Sequence, residues 1–120
     1  MKLSGVMLGT EDPKALGEFY TKIVGKPGWQ QDDWYGFDIG GGTLMIGPHS
    51  EVHGTNQAPA RIMITFIAED VKKEFDRIKD LGCKVIAEPY KPSEDDEKIW
   101  LATVSDPDGN YLQISTPWES

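Results

Sequence analysis

Hydrophobic positions in the first part of the chain follow a strand pattern and then a helical one. Residues Leu3 to Thr10 are mostly apolar and predict a strand. Asp12 and Pro13 follow, an N-cap and a first helical residue whose missing N–H costs nothing. The segment 13–24 then has apolar residues at helical spacing, namely Leu16, Phe19, Tyr20 and Ile23. Gly25 is expected to end this helix as a left-handed cap.

Three short strands are predicted after this helix, at 28–31, 34–39 and 43–47. The run Gly40-Gly41-Gly42 separates the last two strands, because glycine accepts the positive φ of a tight hairpin turn without strain. Residues 48–59 contain two prolines and many polar residues. They predict a linker between two halves of one domain.

The second part of the sequence repeats this order of elements. A strand is predicted at 60–68, Asp70 is placed to cap a helix, and Gly82 is placed to end it. The apolar stripe of this second helix consists of Phe75, Ile78 and Leu81. Three more strands are predicted, separated by a polar loop and a turn, at 83–88, 99–105 and 111–116.

An internal repeat relates the two halves. Thr10-Glu11-Asp12 aligns with Ala68-Glu69-Asp70 at an offset of 58 residues, and Thr43–Ile46 aligns with Tyr111–Ile114 at an offset of 68. Neither half can bury one face of its sheet alone. We therefore predict a single domain, 1–120, built from module 1 (about 1–47), the linker (about 48–59) and module 2 (about 60–120). A chance likeness between two short segments is the alternative.

Composition narrows the class of protein. The chain has 120 residues and a net charge of −8, so a broad basic surface for nucleic acid is not expected. No apolar run approaches the length of a membrane helix, and the first residues lack the pattern of a secretory signal. The single cysteine, Cys83, cannot form an internal disulfide, which favours the cytoplasm as the compartment.

Two stretches carry a resemblance to a known family. One is Val6–Asp12 leading into the helix with Phe19-Tyr20 and Gly25, and the other is Ser105–Gln113 with its Asp-Pro-Asp-Gly-Asn turn. In this order they resemble the vicinal oxygen chelate superfamily, which includes glyoxalase I, bleomycin-resistance proteins and extradiol dioxygenases. The resemblance implies an α+β fold of two βαβββ modules in a pseudo-twofold repeat, with curled mixed sheets around a cavity and helices on the convex side. It also implies a homodimer.

The resemblance further implies where a divalent metal would be held in enzymatic members. The corresponding positions here are Gly5 and Met63, seven residues before Asp12 and Asp70, together with Gln113 and its repeat partner Met45. Glycine has no side chain, thioethers are soft neutral ligands, and one amide oxygen cannot hold a hard divalent ion. We therefore expect no metal, no cofactor and no family-type catalytic residue, which places the chain in the metal-free, bleomycin-resistance-like branch.

Other chemistry has weaker support in the sequence. His49 and His53 have the spacing of a helical metal pair, but Pro48 and Gly54 favour a loop. The acidic run 94–97 lacks the spacing of a calcium loop and is interpreted as a solvated loop tip. Cys83 is interpreted as a buried structural thiol rather than a nucleophile. No nucleophile elbow or phosphate-binding loop is present.

The alternation of strand side chains predicts which residues face the implied cavity. If Gln113 and Met63 face inward, then Leu112, Ile114, Ile62, Ile64 and Phe66 face the helices. Trp34, Phe37 and Trp100 are compatible with either direction. The predicted ligand-binding residues are Met7, Trp34, Thr43, Met45, Arg61, Met63, Thr65, Trp100, Tyr111 and Gln113. The alternative is that the methionines only fill a core.

Three functions are compatible with this pattern. The first is metal-independent binding of a small, partly apolar or aromatic molecule, for sequestration or sensing, since methionine and aromatic side chains pack well on flat ligands. The second is a lyase, isomerase or dioxygenase of the family with a displaced metal site. The third is metal-free acid–base catalysis by Tyr111, Asp38 or Glu88.

Overall fold

The computed structural model describes residues 1–95 and 98–117. The chain divides into two compact units, Met1–Thr55 and Asn56–Ser120. Each unit contains one helix and one four-stranded mixed sheet. The two helices of the described residues are both too short and too polar to serve as transmembrane helices.

The first unit contains module 1. Its elements are β1 (Gly5–Thr10), α1 (Pro13–Val24), β2 (Trp29–Gln31), β3 (Trp34–Ile39) and β4 (Gly42–Pro48). The strand order is β1-β4-β3-β2, with β1 parallel to β4 and the other pairs antiparallel. The helix α1 packs against β1, β3 and β4. One face of this sheet is therefore covered by the helix.

The ends of α1 are set by local chemistry. The Oδ1 atom of Asp12 accepts a hydrogen bond from the Ala15 amide at 3.1 Å, which confirms the predicted N-cap. Gly25 ends the helix, and its N–H donates to the Thr21 carbonyl at 2.9 Å. Its φ is 99° but its ψ is −175°, so the expectation of a left-handed helical cap is wrong in ψ. The chain leaves this helix in an extended direction that glycine tolerates.

The second unit contains module 2. Its elements are β5 (Ile64–Ile67), α2 (Val71–Lys79), β6 (Val85–Tyr90), β7 (Leu101–Ser105) and β8 (Tyr111–Ser115). The strand order is β5-β8-β7-β6, and β5 is parallel to β8. The helix α2 is capped by Asp70, whose carboxylate accepts from the Lys73 amide at 3.1 Å, as predicted.

Strand register confirms the internal repeat and the α+β fold of two βαβββ modules. Met7 of β1 lies opposite Met45 of β4, and Thr65 of β5 lies opposite Gln113 of β8. These pairs are related by the offsets of 58 and 68 residues that the sequence shows. Both sheets also have the same strand order. The repeat therefore extends from the sequence to the pairing of individual residues.

Several predicted boundaries in module 2 are wrong: β6 lies two residues later than predicted, β7 begins two residues later, and the largest difference is at the start of β5. The strand expected from residue 60 begins only at Ile64, because the Arg61 amide donates to the Ala58 carbonyl in a turn. Ile62 precedes the strand and is 73% exposed, so it does not face α2 as expected. The helix α2 ends at Lys79, and the next amides donate to the carbonyl three residues back instead of four. Leu81 is 38% exposed and therefore lies outside the buried stripe.

The turn at 106–110 is organised by one buried carboxylate. Asp106 is 4% exposed, and its Oδ1 atom accepts from the amides of Asp108 and Asn110 at 2.9 and 3.0 Å. Its Oδ2 atom accepts from the Asn110 side-chain amide at 2.9 Å. Gly109 has a φ of 80°, as the turn chemistry predicts. This turn fixes the connection between β7 and β8. Of the acidic run 94–97, residues 96–97 lie outside the described residues, and Glu94 and Asp95 are exposed.

Candidate ligand-binding surfaces

Each sheet has one face covered by its helix and one face turned away from it, which we call the distal face. In module 1, Tyr35 and Phe37 of β3 are buried on the α1 side. Side chains alternate along a strand, so Trp34, Gly36 and Asp38 belong to the distal face. The register adds Thr43 and Met45 of β4, and Met7 of β1, to the same face. The structure therefore brings four predicted ligand-binding residues together: Met7, Trp34, Thr43 and Met45.

Glycines shape the floor of this distal face. A Cβ atom at Gly47 would lie 2.3 Å from the Trp34 ring, so the ring rests directly on the backbone of β4. A Cβ atom at Gly36 would lie 3.2 Å from the Met45 sulfur and 3.5 Å from the Trp29 ring. Large side chains thus lie against backbone that carries no side chains of its own. The result is a surface on module 1 in which aromatic rings and thioethers predominate, with Asp38 and Thr43 as its polar members.

Trp29 is a member of this surface that the sequence analysis missed. It lies opposite Gly36 in the β2–β3 pair and is 48% exposed, similar to Met7 at 46%. The signal that could have found it is its pairing with a glycine across a short hairpin. Its direction depends on the two-residue turn at 32–33, where Asp32 has a φ of 53°. That positive φ is uncommon outside glycine and was not predicted.

The distal face of module 2 is more polar. The Thr65 hydroxyl donates to the Gln113 Oε1 atom at 3.1 Å across the β5–β8 pair. Tyr111 lies two residues before Gln113 on β8 and shares its face. Leu112 and Ile114 are buried toward α2, which confirms the predicted alternation on β8. Module 2 therefore offers hydroxyl and amide groups where module 1 offers sulfur and aromatic rings.

Three predicted residues lie outside the strands that carry the others. Trp100 precedes β7. The Lys72 ammonium of α2 lies over the Trp100 ring, 4.0 Å from its centroid, so this ring is on the α2 side of the sheet. Arg61 is exposed in the turn before β5. Met63 is exposed directly before β5. The structure does not bring Trp100 together with Thr65 and Gln113.

The residues at the family's metal positions do not fit a hard divalent ion. A Cβ atom at Gly5 would lie 2.0 Å from the Thr43 carbonyl oxygen, so this backbone leaves no space for a ligating side chain. Met45 and Met63 offer thioethers, and Gln113 offers one neutral oxygen. Among residues 1–95 and 98–117, no cluster of three His, Cys, Asp or Glu side chains has the geometry to hold a metal ion.

The two histidines lie in a loop, as predicted, beside a cleft of about 420 Å³ in the first unit. The Nδ1 atom of His49 accepts from the Glu51 amide at 3.1 Å. Glu11 accepts from the Gly54 amide, and its Oε2 atom lies 3.5 Å from the Nδ1 atom of His53. The Gly54 hydrogen bond, followed by His53, lowers the pKa of the Glu11 carboxyl. These contacts attach the loop to the start of α1.

Cys83 has the environment of a structural thiol. It is half-buried, and its S–H donates to the Ile78 carbonyl at 3.3 Å. Burial raises the pKa of this thiol, because the thiolate is disfavoured away from water.

We therefore expect native protein at pH 8 to react with a disulfide reagent such as DTNB about tenfold or more slowly than free cysteine. The absorbance of the released thiolate measures the rate. Guanidinium-unfolded protein is the control, and its rate is expected to approach that of free cysteine. A native rate equal to that of free cysteine contradicts the assignment.

Two βαβββ modules of identical topology, with a distal face on each sheet, define a protein of the vicinal oxygen chelate type. The family model described as a glyoxalase-like domain matches residues 5–115 of the chain. The protein therefore belongs to the glyoxalase-like domain family, and the resemblance found in the sequence is confirmed.

Relatives of the chain are similar over nearly its whole length. An uncharacterized protein of Bacillus subtilis (strain 168), YraH, is 30% identical, covering 95% of this chain and 97% of that protein. A glyoxalase/bleomycin resistance protein from Albidiferax ferrireducens T118 has a TM-score of 0.76 at 22% identity, covering 96% of this chain and 98% of that one. A glyoxalase-related enzyme from Fulvimarina pelagi has a TM-score of 0.76 at 16% identity, covering 97% and 88%. The two solved structures share the fold.

Proposed function

We propose that the protein binds a small, partly apolar or aromatic molecule without a metal ion, through the distal faces of its sheets. The observation that carries this proposal is the distal face of module 1, where Trp34 and Met45 lie against glycine backbone and Met7 and Trp29 remain about half exposed. A ligand that covers these apolar side chains removes their surface from water, and this burial favours binding.

Aromatic and sulfur contacts supply the affinity in this proposal. Offset stacking on Trp34, and the contact of the Met45 thioether with a ring edge, each add about 0.5–1.5 kcal/mol beyond area burial. Thr43, on the same face, supplies a hydroxyl. On the distal face of module 2, the Thr65–Gln113 pair and Tyr111 supply hydrogen-bonding groups for a ligand that lies on that face. Arg61 and Met63, which precede β5, are proposed to contact the ligand at the edge of the module 2 face.

The donor set supports the proposed metal independence, whereas membership in the family does not, because the family includes enzymes and binding proteins. The positions that correspond to ligands hold Gly5, Met45, Met63 and Gln113, none of which carries a charge or an imidazole. The name of the Albidiferax structure includes bleomycin resistance, which makes sequestration of such a compound a reasonable role to test. We propose that the working form is a cytoplasmic homodimer.

The test is a thermal-shift screen of aromatic metabolites and antibiotics, followed by titration of the best compound in chelator-treated protein. The wild type is expected to be stabilised, since a ligand that binds only the folded state raises its midpoint. Trp34→Ala and Met45→Asp are each expected to weaken binding by about tenfold or more.

Trp100→Ala is the matched control, because the same truncation is made on the α2 side of module 2. Each variant is compared with its own ligand-free midpoint, which separates lost binding from lost stability. Unchanged affinity in both Trp34→Ala and Met45→Asp would refute the proposed surface. A requirement for a stoichiometric divalent ion would instead favour an enzyme with a displaced metal site.

A further inference from the structure

We infer that the distal face of module 2 selects an uncharged ligand with a carbonyl oxygen, and that the side-chain amide of Gln113 recognises this oxygen. The inference rests on the proposed function, since it specifies which molecule one of the two distal faces takes. Gln113 lies in the middle of β8, opposite Thr65 of β5 on one side and Thr103 of β7 on the other. Three polar side chains therefore form a row across the sheet.

A hydrogen bond decides which end of the Gln113 amide is offered to a ligand. The Thr65 hydroxyl donates to the Gln113 Oε1 atom at 3.1 Å, so the acceptor end of the amide is engaged within the protein. A side-chain amide carries two N–H donors on its nitrogen and one carbonyl acceptor. The Nε2 atom therefore presents donors to the ligand, and the matching ligand group is an oxygen that accepts, such as a carbonyl.

Exposure decreases along this row from the edge of the sheet inward. Thr65 is exposed, Gln113 is half-buried, and Thr103 is only 5% exposed. The amide thus lies where an open edge meets a part of the face from which most water is excluded. A hydrogen bond is electrostatically stronger in such surroundings than in bulk water. Recognition of a carbonyl oxygen by Gln113 is therefore expected to affect affinity measurably.

Charge and apolar contact define the rest of the ligand. The distal-face positions of β5, β7 and β8 hold no acidic or basic side chain, although 27% of the residues in the chain are charged. Arg61 lies in the turn before β5, outside the sheet. An ion on these strands loses hydration without gaining a counter-charge. Ile67, which is 65% exposed, and the Tyr111 ring offer apolar contact on the same face, so an aromatic ketone, amide or lactone fits.

The experiment titrates 1-indanone, indane and indane-1-carboxylate separately into ¹⁵N-labelled protein and follows amide shifts. The three probes share one bicyclic skeleton and differ in the carbonyl oxygen and the charge. 1-Indanone is expected to bind with a Kd on the order of 1 mM and to shift amides of β5 and β8, with the carboxylate weaker. The quantity compared between variants is the Kd of indane divided by the Kd of 1-indanone, because changes common to both compounds cancel in this ratio.

Gln113→Glu replaces the N–H donors by an oxygen at nearly constant size and is expected to lower the ratio about three- to tenfold. Thr65→Val removes the hydroxyl that engages the Oε1 atom and is expected to lower the ratio about twofold, whereas Thr65→Ser keeps the hydroxyl and the wild-type ratio. Gln30→Glu on β2 is the matched control, because it makes the same substitution in module 1 and is expected to leave the ratio unchanged.

The inference is overturned if Gln113→Glu keeps the wild-type ratio, or if the carboxylate binds more tightly than 1-indanone. In either case the aromatic probes still bind, and the proposed function stands. Absence of saturable 1-indanone binding to the wild type also overturns the inference, while the compound screen with Trp34→Ala and Met45→Asp of module 1 judges the proposed function separately. Thr65→Val changes an exposed residue, so an unchanged ratio in this variant overturns the inference even if Gln113→Glu does not fold.

Discussion

Asp106→Ala is expected to lower the free energy of unfolding by about 2–3 kcal/mol, because it removes a buried acceptor and leaves partly buried hydrogen-bond donors without one. The carboxylate accepts from two backbone amides and one side-chain amide in the turn between β7 and β8. Alanine removes all three acceptor contacts and adds none. Urea unfolding, with the slope of the transition compared between variants, measures the change.

Two further variants bracket this effect. Asp106→Asn keeps one acceptor oxygen for the amides of Asp108 and Asn110, so its loss is expected to be about half as large. Asp12→Ala removes an exposed N-cap contact at the start of α1 and is expected to cost about 1 kcal/mol. If Asp106→Ala costs no more than Asp12→Ala, the carboxylate is not the organising group of the turn.

Gly5→His is expected to destabilise module 1 by about 1–3 kcal/mol and to create no metal site. The resemblance implies a metal ligand at this position in enzymatic members of the family, so the substitution supplies the implied residue type. The Thr43 carbonyl oxygen occupies the place of a Cβ atom at 2.0 Å, so the side chain must displace β1 from β4. Unfolding measurements and a Zn²⁺ titration together test both parts of the prediction.

Gly41→His is the matched control for this substitution. No atom lies within 4 Å of a Cβ atom at Gly41, so the imidazole is expected to extend into solvent. Its effect on stability is expected to stay within about 0.5 kcal/mol. A Gly5→His variant as stable as Gly41→His refutes the close approach of the two strands. Tight stoichiometric Zn²⁺ binding by Gly5→His refutes the argument that the backbone excludes a ligand there.

The sequence predicted the fold better than it predicted the site. The N-caps Asp12 and Asp70 and the repeat between the modules were found because each depends on residues close together in the chain or on the fixed alternation of strands. The start of β5 and the end of α2 were misplaced, because apolar residues such as Ile62 and Leu81 continue each pattern beyond the last regular hydrogen bond.

The facing of the tryptophans was open for a different reason. Trp34 lies on the distal face with Met45, whereas Trp100 lies against Lys72 of α2. A change of one residue in register reverses the side of a strand, and an aromatic residue at a strand end fits either face. Trp29 was missed because its partner Gly36 is identified only once the β2–β3 turn is known.

The amino-acid sequence by itself determined the class of fold, the two modules, the helix starts and the residue types at the family's metal positions. These follow from periodicity, capping and side-chain chemistry, which act within a few residues. Tertiary structure alone decided that Gly5 has no space for a side chain, that Trp34 and Met45 lie against glycine backbone, and that Trp100 lies beside Lys72 of α2. Each of these depends on backbone segments far apart in the chain coming within van der Waals distance, and strand pairing, rather than local preference, sets that distance.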